Sequence, residues 1–172
     1  MAYINAGVDK SPVDSQEALK DWLENSGVFP QRSESLKEDT PFVLDAVFTP
    51  SLDGSKPGFV LVIVTRKMVQ RLVKMDKMFF DATHGIAYLQ RGLEECPLQV
   101  VSAGDYASKG HQVAMCVTSS SDHLRHLAIF RILWTEAQRY PGVSRLFTTA
   151  MADQGKGGRK AVKLFLTDMR KV

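Results

Sequence analysis

Residues 59–64 read Phe-Val-Leu-Val-Ile-Val, an unbroken apolar run made mostly of β-branched side chains. A strand sends alternate side chains to opposite faces, so a run with no polar member marks a strand buried on both sides. The rest of the chain has to supply that cover. Residues 1–13 read as a loose arm, and Asp14 and Glu17 then stand at capping-box spacing ahead of Ala18, Leu19, Trp22 and Leu23. That pattern, with Gly27 as a stop, predicts an amphipathic helix over about 15–26. The stretch from Phe29 to Pro57 is rich in Pro, Ser and acids, and its apolar patch, Phe42–Leu44 with Ala46–Phe48, reads as one short strand or an irregular loop.

Beyond the apolar run, Thr65 is placed to cap a short helix bearing Met68, Val69, Leu72 and Val73. Residues 77–85, Lys-Met-Phe-Phe-Asp-Ala-Thr-His-Gly, predict a strand that ends on Asp81. Residues 97–105 and 111–119 predict two more, antiparallel because the connection Tyr106–Gly110 is short. Ser121 or Asp122 caps a long helix over about 122–139, with Leu124, Leu127, Ala128, Leu133, Trp134 and Ala137 inward and Tyr140-Pro141-Gly142 as the stop. Residues 143–153 predict a fourth strand ending on Asp153, and Gly155–Gly158 opens a basic helix over about 159–170. The expected class is α/β: three antiparallel strands from Lys77, then a right-handed crossover that sets the fourth beside and parallel to the first.

With 44% hydrophobic and 24% charged residues, the chain has the balance of a soluble globular protein rather than a disordered one. No stretch approaches the roughly 18 apolar residues of a membrane span, and the start lacks the pattern of a secretion signal. Two cysteines, Cys96 and Cys116, do not make a disulfide framework, so a reducing intracellular setting and buried structural thiols are expected. The net charge of +3 divides unevenly: residues 1–55 hold ten acids and four bases (−6), residues 56–172 eighteen bases and nine acids (+9). A basic balance of that size suits a polyanionic partner, and ordinary solvated lysine and arginine is the plain alternative.

Asp81 and Asp153 carry the chemistry. In the predicted sheet they sit at matching ends of adjacent strands, which lie about 4.8 Å apart, so that both carboxylates reach one divalent ion. A carboxylate directly after Met78-Phe79-Phe80 also stands at the edge of a dry core, where it needs a partner. The alternative is that Asp81 caps a turn through Thr83 or His84.

The elements Phe-Phe-Asp-Ala-Thr-His-Gly-Ile (79–86), the segment 97–122 that runs from Pro97-Leu98 through Gly104-Asp105 to Ser121-Asp122, and Phe-Thr-Thr-Ala-Met-Ala-Asp-Gln-Gly (147–155) resemble the Mutator-like element (MULE) transposase domain. The likeness covers about residues 58–165 and implies a ribonuclease H-like fold with an Asp-Asp-Glu triad. By position it implies Asp81 and Asp153 as the first two catalytic acids and as ligands of Mg²⁺ or Mn²⁺. The third acid has no counterpart, because no glutamate follows Glu136, and the family's downstream Cys/His zinc element is missing too. The chain therefore divides into an acidic N-terminal helix and linker (1–57) and a partial, C-terminally truncated MULE domain (58–172).

Among the other acids, Asp105 reads as a turn residue at the far end of the sheet, Asp122 as a helix cap two strands from Asp81, and Asp168 as carried away along the last helix. The resemblance implies a transposase-derived protein with little or no cleavage by itself, retaining DNA or partner binding. An active nuclease whose third acid comes from another chain or subunit is the alternative. His84, Lys109, Lys156, Arg159 and Lys160 are the candidate nucleic-acid contacts, and a nuclear location is favoured over a cytoplasmic one. Gly155–Lys160 lacks the phosphate-loop signature and reads as a solvated basic turn or a DNA-backbone contact. His123 and His126 read as surface residues, Trp22 and Trp134 as core. A sheet left open after its fourth strand is expected to be covered by the acidic segment folding back, or by a homo-oligomer.

Overall fold

The computed structural model describes residues 16–25, 37–49, 58–74, 77–88, 95–104, 109–120, 122–141, 149–152 and 156–169. Along the chain these form α1 (Gln16–Asn25), β1 (Phe42–Thr49), β2 (Gly58–Val64), α2 (Arg66–Leu72), β3 (Lys77–Tyr88), β4 (Glu95–Gly104), β5 (Gly110–Thr118), α3 (His123–Ala137), β6 (Thr149–Ala152) and α4 (Lys156–Met169). The strands make one six-stranded sheet in the order β1-β2-β5-β4-β3-β6. The first five neighbour one another antiparallel, and the short β6 lies outside β3 in a parallel ladder.

The apolar run of β2 is covered on both sides. Val60, Val62 and Val64 join the larger core with Val101, Val113, Cys116, Ile129, Phe130 and Leu133, under α2, α3 and α4. Phe59 and Leu61 turn the other way, into a smaller cluster with Leu19 and Leu23 of α1, Val43 of β1 and Cys96. Burying side chains of this size stabilises by about 1.5–3 kcal/mol each. Thr65 caps α2 as expected, its hydroxyl accepting from the Met68 N–H at 3.2 Å.

A bulge in β1 shifts the alternation of its side chains by one residue. Val43 pairs with Ile63 but Asp45 pairs with Val62, which leaves Leu44 as the extra residue. Phe42, Leu44 and Val47 therefore enter the larger core while Val43, Ala46 and Phe48 line the smaller one. The bulge is held locally by the Asp45 carboxylate, which accepts from the Ala46 N–H at 2.8 Å. It also twists this edge strand away from straight pairing with another chain. The acidic segment is thus laid on the basic body by strand pairing and apolar contact, and the exposed ion pair Lys67–Asp39 at 3.5 Å lies across the two.

Several expectations need correction. β3 does not end on Asp81 but continues to Tyr88, with Asp81 opposite Val100 in a regular part of the ladder. The irregularity in that pairing comes later, between Thr83 and Ala87. α4 begins at Lys156, so Lys156-Gly157-Gly158 is its first turn rather than a loop before it. Leu124, expected inward, is 54% exposed, and Trp22 is 37% exposed while Leu19 and Leu23 hold α1 to the sheet. Helical spacing explains Trp22: Leu19 and Leu23 are four apart on one line, and Trp22 lies a quarter-turn off it. Of the fourth predicted strand, residues 149–152 are described as β6 and 143–148 lie outside the described residues.

The docking of α1 is directly measurable. Leu23→Ala is expected to lower unfolding free energy by about 2–4 kcal/mol in urea denaturation, and Trp22→Ala by less than about 1 kcal/mol. Equal effects would mean that α1 does not pack through its leucine line.

Candidate functional site

The position of Asp81 follows from what its neighbours do. Met78 and Phe80 are buried beneath α3, and the Phe80 ring lies 4.6 Å from Phe130 and 6.1 Å from His126. Alternation then sends Phe79 and Asp81 to the opposite face, where Phe79 is half-buried and Asp81 exposed. The carboxylate is not confined at the edge of a dry core, so solvation alone accounts for its charge, contrary to the burial reading above. Nor does it cap a turn, because it sits within the β3–β4 ladder between Phe80↔Val101 and Ala82↔Gln99.

The parallel ladder of β3 and β6 runs from Lys77↔Thr149 to Phe80↔Ala152. Asp81 and Asp153 are the residues next in sequence after the last pair, and Asp153 lies outside the described residues. His84 belongs to β3, and only its backbone is described.

The other acids have assigned work. The Asp122 carboxylate caps α3: Oδ1 accepts from the N–H groups of Leu124 (2.8 Å) and Arg125 (3.0 Å), while Oδ2 accepts from Ser120 Oγ (2.6 Å) and pairs with Arg125 Nη1 (3.2 Å). Partial burial pushes this carboxyl up, but the Ser120 hydroxyl, the two backbone donors and the Arg125 guanidinium outweigh it, and its pKa lies below the ordinary value. Asp168 pairs with Arg131 at 2.7 Å on the surface of α3 and α4. Asp105 lies outside the described residues. Among the described residues, no three His, Cys, Asp or Glu side chains converge as a metal-binding group.

Sequence reasoning missed a second polar cluster, at the junction of β5 and α3. Ser119 joins β5 to β2, its N–H donating to the Phe59 carbonyl (3.0 Å) and its hydroxyl accepting from the Phe59 N–H (3.0 Å). The Arg125 guanidinium, anchored by Asp122 and Ser119, lies so close over Gly58 that a β-carbon there would meet its Nη2 at 1.6 Å. His126, expected at the surface, is 7% exposed and rests on Phe80, with Nδ1 at 2.7 Å from the Asp122 carbonyl. Because a carbonyl only accepts, that contact puts the proton on Nδ1 and leaves Nε2 as the basic nitrogen. Gln99, 1% exposed, donates from Nε2 to Thr118 Oγ1 at 3.2 Å, and its Oε1 has no hydrogen-bond partner. The run Ser119-Ser120-Ser121-Asp122 was the available signal, since such residues compete for backbone donors ahead of a helix.

The candidate nucleic-acid contacts divide between two rims. Gly110, next to the exposed Lys109, pairs with Gly104, which pairs with Lys77 at the start of β3. Lys156, Arg159 and Lys160 open α4 after the end of β6, on the rim toward which Asp81 lies. Cys96 and Cys116 are buried, and burial pushes the Cys116 thiol up, so it stays protonated and unreactive. No described helix is long and apolar enough to cross a membrane. Comparison with protein-family models, with curated proteins and with solved structures found no match.

The cap gives a pH-dependent test. Asp122→Ala is expected to cost about 1–2 kcal/mol at neutral pH, measured by denaturant unfolding. Because the folded pKa is depressed, the carboxylate's contribution is complete above its unfolded value of about 3.9 and is lost as pH falls through the folded value. The gap between wild type and variant is therefore expected to close in acid. A gap that is constant down to pH 2 would exclude the ionised cap.

Proposed function

We propose that this chain is a transposase-derived, ribonuclease H-like domain that binds DNA and does not cleave it unaided. The observation that carries the reading is the path of the backbone from Lys77. A three-strand meander, a covering helix and a parallel return bring β6 alongside β3, and the last residue pair of that ladder, Phe80 with Ala152, is followed in sequence by Asp81 within β3 and by Asp153 after β6. A connectivity of this kind supports the likeness to MULE transposases.

Hard cations such as Mg²⁺ bind through oxygen and commonly keep water beside one or two carboxylates. Asp81, exposed on the face away from α3, is chemically fit for such a role, and Asp153 would be the second ligand. Phosphodiester cleavage in this superfamily uses two ions, one to activate the attacking oxygen and one to steady the leaving oxygen. Placing both takes a third acid. Asp122 and Asp168 are engaged elsewhere, and among the described residues no three His, Cys, Asp or Glu side chains converge. Positioning supplies most of the rate in phosphoryl transfer, so two carboxylates support weak ion binding without turnover. The exposure of Asp81 also favours a second reading, in which another chain donates the missing acid across that open face.

Two measurements test the proposal. Supercoiled plasmid incubated with the protein and Mg²⁺ or Mn²⁺ is expected to stay intact, and metal-dependent nicking abolished by Asp81→Ala would overturn the inactive reading in favour of the active one. Millimolar Mn²⁺ is expected to raise the melting temperature of wild type but not of Asp81→Ala, since an ion that binds only the folded state stabilises it. No difference between the two would remove the ion site.

A further inference from the structure

The outward side of α4 carries a row of cations. Ala161 and Phe165 fix its inward side, being buried with Phe165 stacked at 5.4 Å on Phe130 of α3. Arg159, Lys160 and Lys163 fall on the opposite side at helical spacing and are exposed. The helix contains one acid, Asp168, which is committed to Arg131. Lys160 and Lys163 have no ion-pair partner among the described residues. From Arg159 to Lys163 the helix rises about 6 Å, and one DNA strand carries a phosphate about every 3.4 Å of duplex axis, so the row spans about two phosphates.

We propose that this face of α4 is the docking surface for a DNA phosphate backbone, read without base contacts. The proposal deepens the DNA-binding reading above and rests on it. Charge complementarity identifies the partner: cations in line, no acid among them, in the part of the chain that carries the +9 balance. An anionic membrane fits less well, because a helix lying on lipid inserts its apolar side, and here that side is consumed by the core. Only Leu164 and Leu166, 38% and 37% exposed, remain at the margins of the row.

The test is salt-dependent binding of the full chain to a 25-base-pair duplex of arbitrary sequence. Each lost phosphate contact lowers the slope of log K against log salt by about 0.9, so Lys160→Gln with Lys163→Gln is expected to reduce it by about 1.8. Between 50 and 200 mM salt the variant then loses about tenfold less affinity than wild type does. The control, Lys20→Gln with Lys74→Gln, removes the same charge from exposed positions elsewhere and is expected to change the slope little. Both double variants are expected to melt as wild type does.

If the α4 variant keeps the wild-type slope while wild type binds DNA, this surface is wrong and the DNA-binding reading stands. If wild type shows no salt-dependent binding to the duplex, both fall. Equal slope changes in variant and control would replace the docking face with diffuse charge. Binding to vesicles of phosphatidylserine and phosphatidylcholine that is lost in the α4 variant, with no duplex binding, would assign the row to a membrane instead.

Discussion

A chain of three rings, Phe80 on Phe130 at 4.6 Å and Phe130 on Phe165 at 5.4 Å, ties β3 to α3 and α4. Aromatic pairs of this kind contribute about 0.5–1.5 kcal/mol beyond the area they bury. Their larger consequence is one of parity. Once Phe80 is committed to the helix side of the sheet, a period of two leaves Asp81 no choice but the other side. The same rings hold Ala161 and Phe165 inward, and the cations of α4 outward. The two features on which the proposed function rests are therefore both set by a hydrophobic contact to which neither belongs.

The other face of the sheet shows how an acidic segment comes to be part of a basic protein. An exposed pair across the two such as Lys67–Asp39 contributes about 0–1 kcal/mol. Leu19 and Leu23 on Phe59, Leu61 and Val43 do more, and the β1–β2 ladder fixes the register. The bulge at Leu44 shifts the alternation by one residue, so that both ends of the strand feed the right cores. In a regular strand, either Phe42 and Val43 or Val47 and Phe48 would face the wrong layer.

Most of the secondary structure was legible because it rests on local rules. The unbroken run 59–64 announced a strand buried on both faces, Thr65 and Asp122 announced helix starts, and each is found in that role. What was not legible depends on partners distant in sequence. The prediction stopped β3 at Asp81 because a carboxylate after three bulky apolar residues looks like an ending. It does not look so once β4 supplies ladder partners on both sides of it. The spacing of His123 and His126, with no Cys or acid partner evident in sequence, points to the surface, whereas Phe80 and the Asp122 carbonyl together make a buried seat for His126. The Oε1 of Gln99, without a hydrogen-bond partner among the described residues, is beyond any sequence rule, since it depends on how strands distant in sequence close around one amide.

Cleavage and binding place unequal demands on such a scaffold. Cleavage needs three carboxylates held to fractions of an ångström around two ions, and the loss of any one forfeits most of the rate. Phosphate binding needs only cations along a line, tolerates shifts of an ångström or more, and loses affinity by increments as charges are removed. A catalytic domain that drifts from its ancestral sequence therefore stops cutting long before it stops binding. On the proposed reading the chain has that asymmetry: Asp81 stands exposed and, among the described residues, no metal-binding group of three side chains forms, while the lysines on the outward side of α4 have no acid between them on their own helix. Selection on a remaining role would act on the face of α4 and on the ring chain beneath it, and would leave the rim that bears Asp81 free to vary.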